Sequence, residues 1–155
     1  IAMRETSAST DSAWQVHARS RLQGEGHRLG GARAAVIDAL SARDCCSSAS
    51  ELKDTVRAGG ADVGLASVYR SLELLEGLGL VRRVDLGDGH ARFEAVGPAP
   101  EDHHHHMVCV RCGHVLPFHD DRLEGALHAA ADRLGFAEVD HDVVYRGICA
   151  TCRGG

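Results

Sequence analysis

Four cysteines stand in two pairs, Cys109-x-x-Cys112 and Cys149-x-x-Cys152, with 36 residues between them. Two Cys-x-x-Cys knuckles are the donor pattern of a tetrahedral zinc site held by four thiolates. A set of disulfides or a redox-active pair is the alternative. The chain shows no secretory signal, so a cytoplasmic setting with reduced thiols is expected, and zinc is the reading that the spacing favours. Four thiolates leave no open coordination position, which makes such a zinc structural and not catalytic. Directly before the first knuckle runs His103-His104-His105-His106. In an extended segment alternate side chains point to opposite faces. His103 and His105 then face one way, His104 and His106 the other, so one short strand can serve two further metal sites. A solvated histidine run or a tag fragment is the plain alternative.

The elements around these residues divide the chain in two. Residues 12–26 read as a first helix stopped by glycines. In "GARAAVIDALSAR", Val36, Ile37 and Leu40 share one helical face. "SSASEL" carries a capping box, Ser48-x-x-Glu51, ahead of Leu52 and Val56, and Gly59-Gly60 ends that helix. "GLASVYRSLELLEGLGLV" places Val68, Leu72 and Leu75 on one stripe, with Ser67 and Arg70 opposite. Two short extended runs then flank Gly87-Asp88-Gly89, a hairpin with strong turn chemistry. Three helices followed by a two-stranded hairpin make a winged helix-turn-helix. "GPAPED" is the hinge. Beyond it, "HMVCV" and "HVLPF" read as strands around the first knuckle. Leu123, Leu127, Ala131 and Leu134 mark an amphipathic helix ended by Gly135, and "AEVDHDVVYRGIC" reads as a strand delivering the second knuckle. The expected fold is therefore α+β: a winged-helix DNA-binding domain over residues 12–97, a hinge at 98–102 and a metal-binding dimerisation domain over 103–155. One helix on a small sheet is a thin core for that last stretch, which should need metal, a second subunit, or both.

Charge follows the same division. The net charge of −5 does not advertise nucleic-acid binding, but residues 98–155 carry 9 Asp+Glu against 5 Lys+Arg and 8 of the 11 histidines. That part is built for cations. Residues 1–97, with 12 basic against 13 acidic side chains, have room for a local basic face. No apolar run approaches the roughly 20 residues that span a membrane, and no membrane partner is expected. Arg70, opposite the buried stripe of its helix, is placed to make paired bonds to guanine in a major groove. Tyr69 can touch a thymine methyl or a phosphate, and Ser67 and Arg33 a phosphate; Arg82 and Arg83 of the hairpin are weaker candidates. A zinc hydrolase or deaminase would need an open metal position and a general acid/base, and no His-x-Glu pair precedes either knuckle.

"VGLASVYRSLELLEGLGLV", "RFEAV", "DHHHHMVCVRCG" and "HDVVYRGICATC", in that order, resemble the ferric uptake regulator family of bacterial metal-responsive repressors. The resemblance covers about residues 22–152. It implies a homodimeric transcriptional repressor of metal-homeostasis genes that binds palindromic double-stranded DNA when loaded with metal, and not an enzyme. It implies a structural zinc on Cys109, Cys112, Cys149 and Cys152. It implies a sensing site on His104, His106 and Glu94, whose remaining ligand, a histidine in iron- and peroxide-sensing relatives, falls here on Cys46. It also implies a third site on His103, His105 and His141. The usual acidic ligand of that site falls on Pro117, which cannot coordinate through its side chain, and His119 is the substitute. Tyr69 and Arg70 become base-reading residues, and Arg28 approaches the minor groove. A thiolate beside two imidazoles and a carboxylate is softer than an iron site requires, so zinc is favoured over iron(II) as the sensed metal. Cys45 and Cys46 also fit as small apolar residues at a helix entry.

Overall fold

The structure, a computed structural model, describes residues 12–97, 104–137 and 140–154. They fall into two compact units, one within Ile1–Pro100 and one within Glu101–Gly155.

The first unit is a helical core closed by a small sheet. Helix α1 (Ala13–Gly24) starts at Ser12, whose hydroxyl accepts from the Gln15 backbone while the Gln15 side chain returns to the Ser12 amide. That box satisfies two donors that a helix start leaves open. Trp14, Ala18 and Leu22 recur every four residues and are buried. The Trp14 indole donates to the Leu80 carbonyl at 3.0 Å, so its polar edge is satisfied inside the core. Helix α2 (Gly31–Ser41) buries Val36, Ile37, Ala39 and Leu40. Strand β1 (Ser47–Ser48) leads into α3 (Ala49–Ala58), which opens on the Ser48–Glu51 box expected from its sequence. Helix α4 (Leu65–Gly77) buries Val68, Ser71, Leu72 and Leu75.

Strands β2 (Val81–Asp85) and β3 (Ala91–Ala95) form the expected hairpin, with Arg82 opposite Glu94 and Arg83 opposite Phe93. Its turn is set by Gly87 and Gly89, at φ +73 and +78, values that favour glycine. The Asp85 carboxylate accepts from the Gly87 amide at 2.7 Å. Strand β1 adds a third member in the order β1-β3-β2, with Ser47 opposite Phe93. Sequence reading found only two strands here. Two residues carry no periodicity, and their pairing is decided some 45 residues further on.

The second unit is built on β4 (His105–Cys109), the middle strand of the order β5-β4-β6. Strand β5 (Val115–Phe118) pairs with it antiparallel, and β6 (Val144–Gly147) pairs parallel. Parallel neighbours need a crossover, and α5 (Asp121–Leu134) supplies it. Asp120 caps α5 by accepting from the Arg122 and Leu123 amides, and Gly135, at φ +75, ends it. No residue of α5 is buried. A four-residue helix α6 (Ala150–Arg153), absent from the sequence reading, follows Cys149. Among the described residues no helix is long and apolar enough to cross a membrane.

Candidate metal centres and nucleic-acid face

The four knuckle cysteines converge. The chain turns tightly after β4, with Gly113 at φ +72 and its amide bonded to the Cys109 carbonyl at 2.9 Å, which brings Cys112 back toward Cys109. Strand β6 delivers Cys149 beside them, and α6 returns Cys152, whose amide donates to the Cys149 sulfur at 3.5 Å. All four sulfurs lie within 4.8 Å of one another, with Cys112 and Cys149 at 3.8 Å. A tetrahedral zinc with Zn–S bonds of about 2.3 Å sets its sulfurs ~3.8 Å apart, so the cage fits that ion. The local field prepares one thiolate. The Cys149 amide at 3.3 Å, helped by the Cys112 and Arg111 amides, pulls the Cys109 thiol down to about 6. Contacts from the Cys112 and Cys149 thiols push Cys152 up to about 12. A bound cation would replace that thiol-to-thiol crowding with ligand bonds.

His105 points to a different group. Its Nε2 lies 2.6 Å from Glu124 Oε1, and His141 Nε2 lies 3.1 Å from the other oxygen of the same carboxylate. The ligand atoms of His105, Glu124 and His141 lie within 4.8 Å of one another, and His105 is fully buried. Two imidazoles and a carboxylate suit zinc and other divalent ions. The assignment of this group changes in two places. Pro117 lies on edge strand β5 opposite His106, and the carboxylate comes instead from α5, one turn in from its cap. His119 does not join; it is exposed and faces Asp121 at 3.0 Å. His103 lies outside the described residues. Glu124 was overlooked because it reads as an ordinary charged residue of the helix. Nothing in the helical pattern marks it as a ligand.

The expected sensing residues are presented by each unit separately. In the first unit Glu94 is 4% exposed, and a Cys45 sulfur comes within 4.8 Å of its carboxylate. Cys46, not Cys45, was expected there. Cys46 is buried, its sulfur 3.8 Å from that of Cys45. Contact with the Cys45 thiol, then burial and the nearby Glu94 charge, push the Cys46 thiol up. In the second unit His104 and His106 meet edge to face, ring centroids 5.0 Å apart.

On α4 the buried stripe leaves Tyr69 and Arg70 exposed. The Arg70 guanidinium donates to the Ser67 hydroxyl at 2.8 Å, which holds it along the helix. Arg28 is exposed, and Arg33 donates to the Arg28 carbonyl, so the two basic residues are tied at the start of α2. Of the hairpin arginines, Arg82 pairs with Glu94, and Arg83 lies over the Phe93 ring at 5.4 Å.

A family profile described as the ferric uptake regulator family matches residues 24–146. The chain is 44% identical over 94 residues to the ferric uptake regulation protein of Legionella pneumophila, covering 61% of this chain and 67% of that one. It superposes on the crystal structure of the Vibrio cholerae ferric uptake regulator with a TM-score of 0.73 at 30% identity, over 84% of this chain and 98% of the other. A zinc uptake regulator complexed with zinc and DNA gives 0.61 at 25% identity, over 94% and 97%. With a matched profile across most of its length, and a helical unit and a cysteine-caged unit in the matching order, the chain belongs to the ferric uptake regulator family of metal-responsive, DNA-binding transcriptional regulators, which are not enzymes.

Proposed function

We propose that this protein is a zinc-responsive, homodimeric, cytoplasmic repressor of metal-homeostasis genes. Its sensing site takes Cys45 and Glu94 from the first unit and His104 and His106 from the second. The observation that carries the zinc assignment is the Cys45 sulfur beside the Glu94 carboxylate, because a thiolate in the donor set favours zinc over iron(II). The likeness to a zinc uptake regulator solved with zinc and DNA supports the same metal. The knuckle cysteines hold a structural zinc, and His105, Glu124 and His141 form a third site. Metal that ligates both units fixes the winged helix relative to its counterpart in the dimer, and so matches two α4 helices to the half-sites of a palindrome. The coupling is the difference in ligand number between the loaded and unloaded states. Arg70 and Tyr69 read bases, while Ser67, Arg28 and Arg33 position the backbone. Leu116, Met107 and Tyr145, adjacent across the second sheet and 40–60% exposed, support the dimer. Iron(II) is the alternative, favoured by the two imidazoles and the carboxylate and by the ferric-named Legionella relative.

The test is a gel shift on operator DNA with zinc, iron(II), manganese and nickel in parallel, joined to zinc competition on Cys45→Ser and Cys46→Ser. With the four-cysteine cage already filled, Cys45→Ser should lose more than about 100-fold in zinc affinity, beyond the usual effect of a supporting residue. Cys46→Ser should bind zinc as the parent does. A sulfur-to-cobalt charge-transfer band from the second equivalent of cobalt that survives in Cys45→Ser would remove this thiol from the site.

A further inference from the structure

Glu94 and Arg82 face each other directly across the β2–β3 ladder. The Arg82 Nε donates to Glu94 Oε1 in a charge-assisted bond. The carboxylate is 4% exposed and the arginine side chain 33%. A carboxylate so far from water needs a compensating charge or donors, and Arg82 supplies a charge. The other arginine near this place, Arg92, is engaged with Asp88 at 2.6 Å on the hairpin. The neighbouring Arg83 is spent on the Phe93 ring. Arg82 is thus a cation paired directly with this carboxylate. The same carboxylate has the Cys45 sulfur beside it, so a metal bound through Glu94 and the arginine are two cations set against one anionic group.

We propose that Arg82 sets the metal threshold of the Glu94 site, compensating the carboxylate in the metal-free protein and opposing the divalent cation that replaces it. This rests on the reading of Glu94 as a ligand. Two effects act in the same direction. Arg82 lowers the energy of the unloaded state, because it neutralises a buried charge. It raises the energy of the loaded state, because a guanidinium against Glu94 lies within a few ångströms of any ion held there. Both weaken metal binding, which lets a strong donor set respond at a higher free-metal concentration than its ligands alone would dictate. Arg82 is thus a threshold-setting neighbour of the ligands, not a ligand itself.

The experiment is a competitive zinc titration of the full chain with its four-cysteine cage filled and the third site removed by His141→Ala, comparing in that background the parent residue pair, Arg82→Gln, Arg82→Lys and Glu94→Gln. Arg82→Gln keeps a hydrogen-bond donor and removes the charge, and it should bind the second zinc at least about 5-fold more tightly, the lower end of ordinary coupling between sites. Arg82→Lys should bind close to the parent. In thermal melts, Arg82→Gln without the second zinc should unfold below the parent, and zinc should close the gap. A structural role alone predicts weaker or unchanged zinc binding in Arg82→Gln, and that result overturns the proposal while Glu94 remains a ligand. Parent-like zinc binding by Glu94→Gln is a separate failure, which removes Glu94 from the sensing site altogether.

Discussion

The two units solve the problem of staying folded in different ways. The first packs Trp14, Ile37, Leu52, Leu72, Leu75, Leu80 and Phe93 into one continuous cluster. Among the described residues, the second contributes only Val108 and Cys109 to the buried apolar set, beside His105 and His106. Each large side chain taken fully out of water contributes roughly 1.5–3 kcal/mol, so the first unit has a core of its own. The second has a helix with no buried residue and side chains that are metal donors where a core would be. The contrast teaches where stability and response can be stored: the first unit is held by packing, and the second places candidate metal donors where a core would be.

The largest expected effect tests the coordinated side. Cys149→Ser, or removal of zinc with a strong chelator, should cost the second unit its fold, since a structural zinc contributes on the order of 10 kcal/mol. Amide hydrogen exchange should show β4 and β6 unprotected while α2–α4 remain protected. Parent-like protection of β6 in Cys149→Ser would remove the contrast. The next effect tests the packed side. Phe93 is 1% exposed, and Phe93→Ala should destabilise the first unit by about 3–5 kcal/mol in denaturant, with zinc content unchanged. A smaller effect sharpens what the packed core is for. Arg70→Ala should cost about 1–3 kcal/mol of operator binding, leaving both metal content and the melting of the first unit intact. If this variant still separates operator from random DNA as the parent does, bases are read from somewhere other than this position on α4.

What the sequence disclosed follows from how local each feature is. The Ser48–Glu51 box, the Gly87–Gly89 turn and the Cys-x-x-Cys knuckles are each written within a few adjacent residues. The division into a helical part and a histidine-rich part was visible in the change of period and of charge. Besides the short helix α6, three features were not visible. Strand β1 exists because Ser47 and Ser48 find Phe93 and Arg92, a pairing with no local trace. Glu124 becomes a partner of His105 and His141 only when α5 folds back over β4. The choice between Cys45 and Cys46 turns on which of two adjacent sulfurs is buried, and two small thiols in a row carry no periodicity to decide it. The resemblance points to Cys46 and Pro117, whereas the donor groups that come together in the structure contain Cys45 and Glu124.

The middle position of β4 has a consequence for the order of events during synthesis. Its parallel partner β6, and with it Cys149, lies far downstream, with 36 residues between the two knuckles. At a translation rate of about 5–20 residues per second, the first pair of thiols waits roughly 2–7 seconds for the second. The first unit has all its strands by Ala95 and can fold within that interval. The nascent chain therefore has the whole first unit available while Cys109 and Cys112 still lack their partner thiols, so a zinc held by all four would be captured last.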